Sequence, residues 1–206
     1  MRPFSDDEVI GAGGTIAKYA KEGNDVIVVI FTFGEGATPV KEEVIIRKRI
    51  NEAKDVDKLL GVKETIFLGL EDTKIKNKIH DIETLEKIRT IIEKYQPNKI
   101  FTHSSRDFHR DHNSVNKIIT KVVDALDKHY DLYIFDVSNP FNIFRKNLPK
   151  LYVDISDTFD LKLKALDKFK SQKHWTLLLM PSVITKARID GDSFNCRYAE
   201  KFFKIR

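Results

Sequence analysis

Two short stretches hold the residues whose types and spacing suit acid-base or metal chemistry. The first is SDDEVIGAGG, Ser5 to Gly14, where Asp6, Asp7 and Glu8 stand together at the start of a helical pattern. Those acids also fit an ordinary helix start, because Ser5 and Glu8 have capping-box spacing and acids in a first turn favour the helix dipole. Its glycines do not make a nucleotide loop: no strand precedes them in this chain, and no Gly-Lys-Ser/Thr follows. The second stretch is THSSRDFHRDHNSV, Thr102 to Val115, which puts His103, Asp107, His109, Asp111 and His112 within ten residues. His109 and His112 are three apart, so they share a face at a helix start, and Asp111 between them can orient an imidazole. Zinc takes His nitrogen and carboxylate oxygen, and a catalytic site keeps one position open beside three protein ligands. The cluster reads either as a metal or catalytic site or as polar capping with solvated histidines. His80, His129 and His174 are isolated and read as surface residues.

The elements that must position these residues alternate along the chain. Val9–Glu22 has helical spacing, and VIVVIFTF (Val26–Phe33) is a nearly continuous apolar run of the kind found in a strand covered on both faces. Val40–Leu60 reads as a helix stopped by Gly61, followed by a short strand over Glu64–Leu68. Ile82, Leu85, Ile88, Ile91 and Ile92 recur at helical spacing up to Pro97, and Lys99–Thr102 resumes a strand. His112–Asp127 lays Val115, Ile118, Ile119, Val122 and Leu126 on one face. Leu132–Val137 and Leu151–Ile155 read as strands, and Asp157–Phe169 is the last helix that periodicity marks. This order predicts a Rossmann-like, three-layer α/β/α arrangement with a mostly parallel sheet and ligands at the carboxyl ends of its strands.

Composition narrows the class. A chain of 206 residues, 41% hydrophobic and 33% charged, suits one globular domain over residues 1–206 and leaves little room for disorder. Cys196 is the only cysteine, so no internal disulfide forms, and neither a leader pattern nor a membrane-length apolar run is present. A reducing cytoplasm is the expected location. The net charge of +5 is spread along the chain without a basic tail, which gives no support to nucleic-acid binding.

SDDEVIGAGGTIAKYAKEG resembles the first motif of the PIG-L/LmbE-like deacetylases, zinc enzymes that remove acetyl groups from N-acetylglucosamine-type sugars. FTFGEG (Phe31–Gly36), the Arg49-x-x-Glu52 pair, FLGLED (Phe67–Asp72), the His-x-Asp-His at His109–His112, KALDKFKSQ (Lys164–Gln172) and YAEKFF (Tyr198–Phe203) follow in the family's order. The resemblance implies that Asp7 and His112 bind metal, that Asp6 is the general base, and that His109, with Asp111 beside it, holds the oxyanion. It implies that Arg49 contacts substrate, an N-acetylated amino sugar or its conjugate.

One position departs from that pattern. The family's first metal-binding His falls on Phe4 and the following Pro on Ser5, and only Met1, Arg2 and Pro3 stand where the family has a first strand. A phenyl ring cannot coordinate zinc. The expectation is therefore a sheet lacking its first strand and zinc bound weakly or not at all. Either this is a shortened form of a longer protein or the metal site is lost. If zinc does bind, His103 is the nearest candidate for the third bond. The competing function is a non-catalytic relative that binds a sugar or partner through the same cleft. Residues 139–149 suit substrate selection, and their Phe141, Ile143 and Phe144 equally suit a contact between copies in a homo-oligomer.

Overall fold

The computed structural model describes residues 6–34, 42–137 and 147–206. Phe4, the residues before it on which the expected loss of a first strand rests, and most of the 139–149 segment therefore lie outside the described residues. Helix α1 spans Asp7–Lys21 and strand β1 Ile27–Ile30. Helix α2 (Glu42–Leu60) and strand β2 (Glu64–Phe67) follow, then a 3₁₀ turn at Ile75–Lys78, helix α3 (Ile82–Tyr95) and strand β3 (Lys99–His103). The remainder is α4 (Arg110–Asp124), β4 (Asp131–Phe135), β5 (Lys150–Asp154), α5 (Phe159–Lys168), a 3₁₀ turn at Lys170–Gln172, α6 (Lys173–Ser193) and β6 (Ala199–Lys204).

Local chemistry accounts for several boundaries. Helix α2 ends where Gly61 takes φ +76°, a conformation that costs glycine nothing. Helix α3 begins at Asp81, whose carboxylate accepts from the Thr84 N–H at 3.0 Å, and ends at Gln96 in the left-handed region just before Pro97. The apolar run around β1 is shorter as a strand than the sequence predicts. Its partner β2 has only four residues, and beyond Ile30 the chain turns at Gly34, φ +68°.

The strands pair in two sheets. β1 and β2 are parallel, with Ile27 opposite Glu64 and Ile30 opposite Phe67. The second sheet has the order β3-β4-β6-β5; β3 and β4 are parallel, whereas β6 runs antiparallel to β4. The sheet is thus mixed rather than mostly parallel, because the last strand returns against β4, and such an antiparallel strand needs no crossover helix.

Two compact units emerge from the packing. Among the described residues, one comprises Thr73–Leu151 and Phe202–Arg206, and the other residues 6–72 and Tyr152–Lys201. In the first, α4 packs on β3 and α3, burying Ile118, Leu132 and Phe202 completely. In the second, α5 packs against α1 and α2 over Val9, Val56, Leu166 and Phe169. Helix α6 and strand β6 went unmarked by periodicity. Trp175, Leu177, Leu178 and Ile189 of α6 are exposed, so its apolar residues do not form a core stripe, and Pro181 interrupts its interior.

Candidate metal and acid-base site

The β3 to α4 segment builds a histidine-rich half of the site. His103 ends β3, and its carbonyl accepts from the Asn116 amide at 2.8 Å, tying strand to helix. His112 lies on the first turn of α4 and is fully buried. Its ring stacks on that of His103 with centroids 4.2 Å apart, while the His109 ring is tilted against it at 4.8 Å. His112 Nδ1 is 2.9 Å from Asp107 Oδ1, with both side chains sealed from solvent. Asp107 is itself held: Oδ1 accepts from the His109 N–H and Oδ2 from the Val137 N–H, each at 3.0 Å. A carboxylate at Nδ1 fixes the imidazole so that Nε2 points a lone pair away, the usual support behind a histidine ligand.

His109 caps α4, and its Nδ1 accepts from the Asp111 N–H at 3.3 Å. A neutral ring that accepts at Nδ1 carries its proton on Nε2, which makes that nitrogen a donor. Asp111 faces elsewhere with Oδ2, accepting from the Thr73 N–H at 3.1 Å.

Helix α1 presents the acids. Asp6 and Asp7 are 2% and 4% exposed, and Asp6 makes no side-chain cap bond although it is the N-cap residue. Its carboxylate is thus not spent on closing the helix. The Gln172 side chain, its amide nitrogen turned toward this acceptor-only group, donates to the two Asp6 oxygens at 2.8 and 3.2 Å. Burial pushes the Glu8 carboxyl well above the usual carboxylate range, and the charges of Asp6 and Asp7 add to the rise. Ser5, the other half of the expected capping box, lies outside the described residues.

Among the described residues, Asp7, His103 and His112 form a group able to hold a metal ion, with one ligand atom from each and all three atoms within 4.8 Å of one another. One carboxylate and two imidazoles match zinc's preferences and leave the fourth tetrahedral position open. Arg49 is not displayed at a surface: it is 3% exposed, and its guanidinium donates to the Phe33 carbonyl at 2.5 Å. Sequence reasoning missed two supporting residues. Asp107, not Asp111, is the carboxylate beside His112, and its position in the loop ahead of α4 was the available signal. Gln172 had no local signal beyond its place in the KALDKFKSQ match.

The fold defines the class. The diacetylchitobiose deacetylase of Pyrococcus horikoshii, solved with an inhibitor, is 25% identical and superposes with a TM-score of 0.81 over 98% of this chain and 81% of its own. The shared architecture is the three-layer α/β/α fold. Residues 2–123 match the GlcNAc-PI de-N-acetylase family, PIG-L, and the chain belongs to that family. Two relatives similar in sequence over most of the chain are named as deacetylases. A probable N-acetyl-alpha-D-glucosaminyl L-malate deacetylase 2 of Bacillus cereus is 29% identical, covering 82% of this chain and 80% of the relative. The diacetylchitobiose deacetylase of Thermococcus kodakarensis is 28% identical over 97% of this chain and 79% of its own.

Proposed function

We propose that this protein is a zinc-dependent N-acyl deacetylase acting on an N-acetylated amino sugar or its conjugate. The observation that carries the reading is the Asp7, His103 and His112 donor group in a chain of the PIG-L family. His103 supplies the ligand that Phe4 cannot. The family match runs through both compact units, which supports treating residues 1–206 as one catalytic domain. Among the described residues no helix is long and apolar enough to cross a membrane.

Bound to these donors, zinc would acidify water and polarise an amide carbonyl. The chain's own groups do the rest. Asp6 takes the proton from the attacking water and passes it toward the departing amine. His109 directs its Nε2 proton at the oxygen where negative charge develops, and Asp111 keeps that tautomer through its backbone N–H. Asp107 holds the His112 ring. Arg49 contacts substrate through the guanidinium donors other than the Nη1 that is anchored on the Phe33 carbonyl. Acetate and a free amino sugar leave.

The test is zinc content together with acetate release from N-acetylglucosamine and N,N'-diacetylchitobiose. His103→Ala and His112→Ala should each lower zinc occupancy, whereas Asp6→Asn should keep zinc and lose about 10²- to 10⁴-fold in rate. Zinc retained in full by His103→Ala would show that this imidazole is not the third ligand. The residue at Phe4 favours a second reading, a binding module without catalysis. Failure of the zinc-supplemented protein to hold stoichiometric metal would establish it over the first.

A further inference from the structure

We infer that Gln172 is a positioning residue for the Asp6 carboxylate, and that Glu52 anchors the turn from which Gln172 reaches it. The inference rests on the reading of Asp6 as the base. Asp6 and Gln172 are each 2% exposed, so each must find its partners inside the protein. An aspartate at the mouth of a helix usually spends its carboxylate on capping, which would fix its plane; Asp6 makes no such bond. The Gln172 amide faces this carboxylate, and because Asp6 offers only acceptors the amide nitrogen is assigned to that side, donating to the two oxygens at 2.8 and 3.2 Å. That contact spans the sequence from the first described residue to the start of α6.

The donor is held as firmly as the acceptor. Gln172 closes the short turn between α5 and α6, its N–H donating to the Phe169 carbonyl at 3.0 Å. The preceding residue is clasped from α2: the Ser171 N–H and hydroxyl donate to the two oxygens of the buried Glu52 carboxylate at 2.8 and 2.5 Å. Glu52 therefore fixes the turn, the turn aims the amide, and the amide sets the carboxylate. A neutral amide suits the place. It orients Asp6 without adding a charge next to Asp7, whereas a lysine or arginine there would draw both acids onto itself. A base that must meet water within hydrogen-bond reach loses rate when its lone pair is turned away, even if every atom of the metal site is intact.

The test compares wild type with Gln172→Met, which keeps length but removes the donor, and Gln172→Glu, which also sets a like charge against Asp6. Zinc-loaded protein is assayed for acetate release from N,N'-diacetylchitobiose, with zinc content and thermal midpoint measured on the same samples. Gln172→Met should lower kcat by about 10²-fold, the scale of a misplaced catalytic group, with KM and zinc content unchanged and the midpoint lowered by a few degrees, the protein staying folded at the assay temperature. Gln172→Glu should lose more, and Glu52→Ala should fall between wild type and Gln172→Met. An active wild type whose Gln172→Met variant keeps kcat overturns the positioning role and leaves the deacetylase reading standing. A wild type that takes up no zinc and releases no acetate overturns the deacetylase reading first and this inference with it. Should Gln172→Met fail to fold, side-chain amide exchange in the wild type decides. The chain has only two glutamines, and Gln172 protons that exchange as fast as those of Gln96 overturn the contact, whereas slow exchange that becomes fast in Asp6→Ala supports it.

Discussion

Helices α1 and α4 each carry a site motif at the amino-terminal end, but different forces hold them. In α4 the securing contacts are near in sequence. His109 accepts from the Asp111 N–H, the Ser114 hydroxyl donates to the Arg110 carbonyl at 2.9 Å, and Val115, Ile118, Ile119 and Val122 form a buried apolar face. In α1 the buried face sets Gly11, Ala12, Gly13 and Gly14, which offer little apolar surface, among Val9, Ile10 and Ile16. A buried ion pair joins the middle of the helix as well. The Gly14 and Thr15 N–H groups donate to the two oxygens of Glu200 at 3.0 and 2.8 Å. Lys162 Nζ donates to the Ile10 carbonyl at 2.8 Å and to Glu200 at 2.6 Å, and the Thr158 hydroxyl donates to the Gly14 carbonyl at 2.9 Å. These partners stand 144 to 186 residues away in sequence. The histidine end of the site is organised from within residues 73–137, by partners no more than 38 residues away, and the carboxylate end depends on the far end of the chain.

The sharpest break of that contrast is Glu200→Ala. Lys162 and Glu200 are each 3% exposed, so removing the acid leaves a cation and two helix N–H groups buried together. The expected cost is about 3 to 5 kcal/mol, read from urea denaturation, and Lys162→Met on the same background should recover part of it. A loss below about 1 kcal/mol, the range of exposed pairs, would mean that α1 does not rely on the pair.

A smaller effect tests why the helix is built from glycines. A Cβ on Gly14 would lie 2.7 to 2.9 Å from three side-chain atoms of Ile155, including its Cβ. Replacing a mid-helix glycine by alanine ordinarily stabilises by about 0.5 to 1 kcal/mol. Here Gly14→Ala should destabilise by about 1 to 3 kcal/mol, because Ile155 cannot withdraw without shifting its backbone. A stabilised variant would show that the close approach of β5's end is not what requires the glycine.

The same contrast explains what could be read in advance. The α4 face was legible because Val115, Ile118, Ile119 and Val122 repeat at the helical period, and the His-x-Asp-His spacing sat at a helix start where it could act. The glycines of α1 were legible only as an unexplained Gly-x-Gly-Gly, since their partners Lys162 and Glu200 carry no mark of pairing in the sequence. Gln172 was hidden for the same reason. Helix α6 escaped because its exposed Trp175, Leu177 and Leu178 break the one-sided pattern on which periodicity depends. Strand β6 could not be oriented, since a short segment such as AEKFFK, with charged residues among its apolar ones, carries no mark of its direction.

The smallest effect concerns a cap that is wholly local, as in α4, but titratable. Asp81 receives the Thr84 hydroxyl at 2.6 Å and the Thr84 N–H at 3.0 Å, with Lys78 Nζ at 3.2 Å. The Thr84 hydroxyl is the main reason its carboxyl is lowered to about 2, followed by the Thr84 N–H and Lys78. An unfolded aspartate titrates near about 3.9, so the fold favours the ionised form. Its contribution is therefore complete above that value and declines as pH falls through the folded one. The stability difference between wild type and Asp81→Ala should stay constant from neutral pH down to about 5 and shrink between about 4 and 2. Asp81→Asn, which keeps an oxygen acceptor without a charge, should differ from wild type less and should show its dependence over the same interval. Because the group is exposed, salt should weaken the Lys78 part and leave the two Thr84 bonds. A wild-type to Asp81→Ala difference as large at pH 2 as at pH 6 would mean that the α3 cap acts through shape alone and that its charge contributes nothing.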